Sequence, residues 1–439
     1  MKYLIIVPDG AADRPYGPFG ENTPLELAEM PYTDGLARRG KVGHVQTIPL
    51  GVKPGSDAAN LAVIGYDPAK DLTGRSPLEA VSMGVGMSNA DVSFRANLVT
   101  LTSPDGSAPS PETPFEDLVI TDHSAGDIPT AEGGALIEYL DAAIGSGDPS
   151  NEDRVRFYPG ISYRHALIVK DGELTRSGIG DVLSEAPGYD LTPPHDILDM
   201  PIGPNLPSGD GSEFILGMMQ KSFELLADHP VNVARRAAGQ RTADAIWIWG
   251  QGRRPKLVPM AEKYGVTGTV VAAVDLIKGI GICAGLEAPE IEGATGTIDT
   301  DFGAKSKAAT DAYETGSDFV FIHVEAPDEC SHQGDADGKV RSLGLIDAKV
   351  VAPVVDWLEA NREKTGEDYR VLIVPDHRTP LSLRTHSSES VPFVCFDSAA
   401  QAGDDGANRA FTERSGKTGV RFDSGAELAD RFFSAGIED

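Results

Sequence analysis

The chain has 439 residues, more than a single hydrophobic core usually serves, so two domains, or one large domain carrying an insertion, are expected. Hydrophobic residues make up 40% and charged residues 24%, a soluble globular composition, and no apolar run approaches the roughly 20 residues that span a bilayer. The formal charge of −29 repels nucleic acid, anionic membrane and also a phosphorylated substrate, so any anion site must be made positive locally by metals or a few Arg and Lys.

The N-terminus enters a strand at once, with no basic segment or small-residue cleavage site, which predicts a cytoplasmic protein. The acidic excess then reads as a heavily solvated surface, of the kind a salty cytoplasm favours. Cys283, Cys330 and Cys395 lack CxxC spacing and are expected to be reduced and structural.

In chain order, KYLIIVPD predicts a strand, PLELAEMPYTDGLARRG a helix and GHVQTIP a strand. GVKPGSDAANLAVIGY follows as a loop turning into a helix, with Ser56 or Asp57 as its N-cap. From Asp91 to Met200 the texture changes to strand, helix, strand, strand: SFRANLVTL, TAEGGALIEYLDAAIG, VRFYPG and YRHALIVK. A Pro-rich stretch closes it, which predicts an inserted α+β domain over 91–200 between core segments 1–90 and 201–439. Beyond it, apolar strands (DAIWIWG, TGTVVAAV, FVFIHV, VLIVPD, VPFVCF) alternate with helices, including a long one over EFILGMMQKSFELLADHPVNVARRAAG and another over KVRSLGLIDAKVVAPVVDWLEAN. That alternation predicts an α/β core with a mostly parallel sheet covered on both faces. The stretch 397–416 reads as a polar loop before a terminal helix.

Three of the apolar strands are followed by residues that ligate metals: Asp9 after YLIIV, Asp328 and His332 after FVFIHV, and Asp376 with His377 after VLIV. Open α/β sheets build their sites at such strand ends. Asp328 and His332 are four residues apart, so one helical turn aims both at a single cation. With His386 in THSSE and Ser56 at a helix N-terminus, the inventory supports two divalent cations and a nucleophile, the phosphoryl group resting on the free N–H groups of that helix. Mixed Asp, His and Ser donors suit Mn²⁺, Zn²⁺ or Co²⁺ better than an all-oxygen Ca²⁺ cage.

Taken together, PDGAADRP, GSDAANLAVIGYDP, LTGRSPLEA, FRANLVTL, DHSAG, FYPGISYRH, PPHDI, WIWGQG, HVEAPDE, PDHRTP and THSSESVPF resemble the archaeal-type cofactor-independent phosphoglycerate mutases of the alkaline phosphatase superfamily, in order from Met1 to about Phe396. The resemblance implies an alkaline-phosphatase-like core, an inserted substrate-handling domain, and interconversion of 3-phosphoglycerate and 2-phosphoglycerate through a phosphoserine on Ser56. It implies one metal on Asp9, Ser56, Asp376 and His377 and another on Asp328, His332 and His386, with Mn²⁺ expected first and Mg²⁺ also open. Arg75, Arg95, His123, Arg164, His165 and Lys305 stand in its substrate-binding stretches. Asp127 stands where a histidine is expected and Arg378 where proline is usual. A metal-dependent phosphohydrolase, or transfer to another small alcohol as in proposed homoserine kinases, stays open at this point.

Overall fold

Phe319–Val324, Lys2–Pro8 and Tyr369–Ile373 lie side by side and parallel near the centre of a seven-stranded sheet in the computed structural model. Residues 1–110, 113–151, 154–170, 189–209, 212–400, 409–434 and 436–437 are described. Of the polar loop expected over 397–416, positions 401–408 lie outside them. The chain divides into two units, Met1–Leu72 with Lys256–Asp439, and Thr73–Pro255.

In the first unit the sheet order is Gly268–Val271, Phe319–Val324, Lys2–Pro8, Tyr369–Ile373, Val391–Asp397, Lys41–Val45, Val420–Phe422. Val391–Asp397 runs antiparallel to both neighbours, and the other pairings are parallel. The register sets Ile5 beside Phe321 and Leu372, all buried. Burial on both faces is why these strands read as unbroken apolar runs. Leu4, Ile6, Val320, Ile322 and Val371 pack on one face with Val350, Val354 and Leu358 of the long helical stretch, each buried side chain contributing about 1.5–3 kcal/mol.

That stretch is not the single helix expected. It runs Ala336–Ile346, a π-helical turn Asp347–Val351, then Ala352–Thr365. Pro353 has no N–H to offer the carbonyl four residues back, so the ladder shifts just before it. The Asp347 carboxylate in the turn accepts from Tyr32 N, Thr33 N and Thr33 Oγ1 at 3.1, 2.7 and 2.6 Å, anchoring the helix Pro31–Arg39.

The second unit is built on a five-stranded antiparallel sheet centred on Val92–Thr102, which pairs with Val119–Asp122, Arg164–Val169 and Ala245–Arg253; Val155–Tyr158 pairs with Arg164–Val169. Its core joins Phe94, Leu98 and Trp247 to Leu136, Leu140, Ile215 and Met219 from the helices Thr130–Ile144 and Ser212–Leu226. The unit is therefore wider than the expected 91–200. Ala245–Arg253 belongs here because it pairs with Val92–Thr102, Ala96 opposite Ile248 and Leu98 opposite Ile246. Its apolar run announced burial but not which sheet it joins. The single helix expected over 213–239 is two, with Pro230 opening the second and His229 Nδ1 capping Val231 N at 3.3 Å.

Candidate metal centre

The three central strands deliver the candidate ligands at their C-terminal ends. Asp9 follows Lys2–Pro8 directly, Asp328 and His332 share the helix Ala326–Gln333 after Phe319–Val324, and Asp376 with His377 follows Tyr369–Ile373. Gly10 turns the first of these connections with φ +60, and a Cβ there would lie 2.5 Å from Asp328 Oδ1, so only glycine lets the chain pass this close to the carboxylate. Ser56 is the first residue of the helix Ser56–Val63, and Gly55, not Ser56 or Asp57, occupies the cap. Its hydroxyl is thereby left free of the capping duty expected of it.

Ser56 Oγ lies 3.1 Å from His377 Nε2, which is 3.3 Å from Asp376 Oδ2 and 3.6 Å from Asp9 Oδ1. Asp328 Oδ2 lies 3.0 Å from His332 Nε2, which is 3.1 Å from His386 Nε2, and Asp328 Oδ1 is 3.6 Å from that same His386 atom. Bonds of about 2.0–2.2 Å to one cation place neighbouring donors about 3.3–3.6 Å apart in a tetrahedron, and these pairwise distances lie near that spacing. The sets are not insulated from each other. Asp328, His377 and His386 also converge within 4.8 Å, as do Asp9, His323 and Asp376.

The electrostatics favour the same chemistry. Burial, then the Asp376, Asp328 and Glu325 carboxylates, push the Asp9 pKa well above its usual range, and Asp9 Oδ1 has no hydrogen-bond partner. Burial likewise raises Glu325 to about 7 and lowers His377. Burial opposes ionisation of Asp328 as well, yet the imidazoles of His332 and His386 hold it well below the usual value, and the Asp328 hydrogen bond lifts His332 to about 9. Crowded buried carboxylates with an orphaned oxygen and inward-facing ring nitrogens fit divalent cations, whose charge would relieve the repulsion.

Asn60, His323 and Thr379 were not singled out by sequence. Asn60 Nδ2 donates to Asp376 Oδ2 at 2.8 Å and to Ser56 O at 2.9 Å, and its place one turn after Ser56 was the available signal. His323 is buried, its Nε2 3.2 Å from Asp9 Oδ2, and neither ring nitrogen makes a hydrogen bond. Burial draws its pKa down to about 4. A histidine inside the otherwise apolar FVFIHV was its signal. Thr379 Oγ1 touches both Asp328 and His377.

The residues expected to bind substrate are divided between the two units, and in the second a series of ring contacts through Trp249, His195 and Tyr163 links Arg95, His123 and Arg164. Lys305, in the first unit, is buried, donates to His323 O at 3.2 Å, and is lowered by burial to about 8. Arg75, Arg95, His123, Arg164 and His165 belong to the second unit. Arg95 grips Glu79 through Nε at 2.7 Å and through NH2, and stacks 4.6 Å over Trp249. His123 meets Tyr163 and His195 edge-on at 5.6 and 6.3 Å, and Arg164 lies 5.1 Å over Tyr163. Arg75 and Arg164 are exposed. His165 points inward: it is 4% exposed, and its Nδ1 accepts from Gly160 N at 3.0 Å, so it holds a turn. Asp127 adopts φ +49, and Arg378 is buried against backbone carbonyls.

A family model described as 2,3-bisphosphoglycerate-independent phosphoglycerate mutase matches residues 37–232. A Geobacter sulfurreducens protein named as a probable enzyme of that description is 44% identical over 396 residues, 90% of each chain. A Methanothrix thermoacetophila enzyme of the same name is 41% identical over 405 residues, 91% of this chain and 93% of its own. The solved structure of a cofactor-independent phosphoglycerate mutase from Thermoplasma acidophilum shares the fold with a TM-score of 0.64 at 21% identity, covering 100% of both chains. With identity at this level sustained along nine tenths of its length, the chain belongs to the 2,3-bisphosphoglycerate-independent phosphoglycerate mutase family.

Proposed function

We propose that the protein interconverts 3-phosphoglycerate and 2-phosphoglycerate by passing the phosphoryl group through Ser56. Two divalent cations, one held by Asp9, Ser56, Asp376 and His377 and the other by Asp328, His332 and His386, would neutralise the phosphoryl oxygens and acidify the Ser56 hydroxyl. Mixed nitrogen and oxygen donors make Mn²⁺ the first choice, with Zn²⁺, Co²⁺ and Mg²⁺ as competitors.

Ser56 Oγ attacks phosphorus as the bond to the glycerate oxygen breaks; Ser56 loses its proton and the freed glycerate hydroxyl gains one. The phosphoryl group then rests against the N–H groups that open the helix Ser56–Val63. Glycerate turns, its other hydroxyl attacks phosphorus and loses its proton, the phosphorus–Ser56 Oγ bond breaks, and Ser56 regains a proton. The phosphoryl group never leaves the site, so no bisphosphorylated cofactor enters the balance. In the first unit Lys305 is the candidate cationic donor; in the second, Arg75, Arg95 and Arg164 are the candidate cations and His123 a candidate hydrogen-bonding ring for a phosphorylated acid. A hydroxyl 3.1 Å from His377 Nε2, at the start of a helix and grouped with six candidate metal-ligating side chains, carries this reading. Relatives spanning nine tenths of the chain are named mutases, which disfavours hydrolysis or transfer to another alcohol.

The test is an enolase-coupled assay on 3-phosphoglycerate with Mn²⁺ and without 2,3-bisphosphoglycerate. Turnover that stops in chelator and returns with metal is expected. Full activity after metal-free dialysis in excess chelator would exclude the metal-assisted route.

A further inference from the structure

One hydroxyl touches both ligand sets. Thr379 is fully buried, and its Oγ1 donates to Asp328 Oδ1 while lying 3.2 Å from His377 Nδ1. A hydroxyl has one proton and two lone pairs. With its proton given to the carboxylate, the stronger acceptor, Thr379 Oγ1 can meet His377 only by accepting, which requires the imidazole proton to sit on Nδ1. Nε2 is then the bare nitrogen, and it is the atom that faces Ser56 Oγ at 3.1 Å and Asp376 Oδ2 at 3.3 Å.

The backbone of the threonine is itself held at both its carbonyl and its N–H. Lys339 Nζ donates to Thr379 O at 3.0 Å and pairs with Asp13 Oδ2 at 2.8 Å, both wholly inside the protein. Thr379 N donates to Ala12 O at 3.3 Å, and a Cβ on Gly10 would come within 2.6 Å of the hydroxyl.

We infer that Thr379 is a positioning residue: it fixes the tautomer of His377 and ties that ring to Asp328, so that one hydrogen-bonded chain sets both cation sites. The role rests on the metal-binding assignment proposed for Asp9, Ser56, Asp376 and His377 and for Asp328, His332 and His386. Partners of metal-ligating histidines act in this way, orienting the ring and leaving the other nitrogen free to bind.

Metal-free wild type, Thr379→Ser and the isosteric Thr379→Val are titrated calorimetrically with Mn²⁺. The valine variant is expected to weaken both binding events about 10- to 100-fold and the serine variant by no more than about threefold, the range typical of outer partners of a metal site. Wild-type affinity in Thr379→Val, weakening confined to one ion, or equal losses in both variants overturns the inference. Because a destabilised valine variant could blur that result, the tautomer is also read in zinc-loaded wild type from long-range ¹H–¹⁵N correlations of His377. A proton on Nδ1 is expected, and a proton on Nε2 overturns the inference without any variant. Wild type that takes up no metal overturns the metal assignment itself, whereas two tight ions in Thr379→Val overturn the role of Thr379 alone.

Discussion

The two units place their charges in opposite ways. The seven-stranded unit buries Asp9, Asp13, Asp328, Asp376, Lys305, Lys339, His323 and His377, most of them at the ends of its central strands. The five-stranded unit keeps an apolar core and carries Arg75 and Arg164 at its surface; His165, Arg235 and Asp244 are among its few buried ionisable groups. Arg235 is satisfied by Glu132, Arg241 O and Ala125 O at 2.6, 2.7 and 2.8 Å. In the first unit Asp13 has Lys339, but Asp9 has carboxylates for neighbours and an unserved oxygen. A buried negative cluster is tolerable where a cation is to come, which fits the metal-binding role proposed for the first unit, whereas the second unit buries no such cluster among its described residues.

The largest expected effect tests the first half of that contrast. Ser56→Ala should lower turnover by about 10⁴ or more, as loss of a nucleophile does. Because three of the four ligands proposed for its metal remain, the folded state and most metal uptake should persist. A variant within tenfold of wild type in the coupled assay would remove Ser56 from the chemistry.

Next in size is the dependence of stability on metal. Each cation at 100 times its dissociation constant should stabilise the folded state by about 2.7 kcal/mol. Hydrogen exchange should register it in the seven-stranded unit, at Lys2–Pro8 and Tyr369–Ile373, and leave Val92–Thr102 unchanged. Equal protection of both sheets would erase the distinction. Asp9→Asn, which removes one of the crowded charges, should make the metal-free protein less dependent on added ion.

Arg164→Ala sharpens the other half. A hydrogen bond to a charged group contributes about 1.5–3 kcal/mol, so mutase turnover should fall roughly 10- to 100-fold. Phosphate release from the same preparations should fall less, shifting product toward free glycerate. Parallel losses, or none, would mean that Arg164 does not grip the substrate.

A further expectation concerns acid. Burial lowers the His165 pKa to about 3, so below the ordinary value of 6.5 the unfolded chain takes up a proton that the folded one refuses. Stability from this residue is complete above pH 6.5 and is lost as pH falls toward 3, by at most about 1.4 kcal/mol per unit. His165→Gln should flatten denaturation midpoints between pH 7 and 5. Identical slopes in variant and wild type would assign the acid sensitivity elsewhere.

The position of Asp9, Asp328, Asp376 and His377 after the central strands was legible because a strand buried on both faces ends abruptly in polar residues, and strand ends are where an α/β sheet is open. His332 followed from helical spacing. His323 was hidden inside a strand, where an apolar neighbourhood argues for packing, and only the register beside Val7 shows it reaching Asp9. Thr379 was invisible because a hydroxyl between two ligands leaves no periodicity. Likewise the run AIWIW could not say which sheet it would join, since apolar residues specify burial and not partners. The same limit moved the boundary of the second unit from 91–200 to Thr73–Pro255.

Arg378 lies on the connection that leads to His386, at a position where the sequence resemblance leads to the expectation of proline. Its Nε donates to Ser390 O at 2.8 Å and its NH1 to Asp13 O at 2.5 Å, while Ser387 N returns to Arg378 O at 2.9 Å. Proline would stiffen this loop by having fewer conformations to lose, a restraint no solute can compete away. Arginine stiffens it by bonds to main-chain oxygens, which a solute with the same planar fork can mimic. Guanidinium ions should therefore slacken the His386 loop at concentrations that leave the sheet intact, while urea of equal denaturing strength should not. The same bonds that tether a loop-borne imidazole would make it the first of the candidate ligand side chains to come loose.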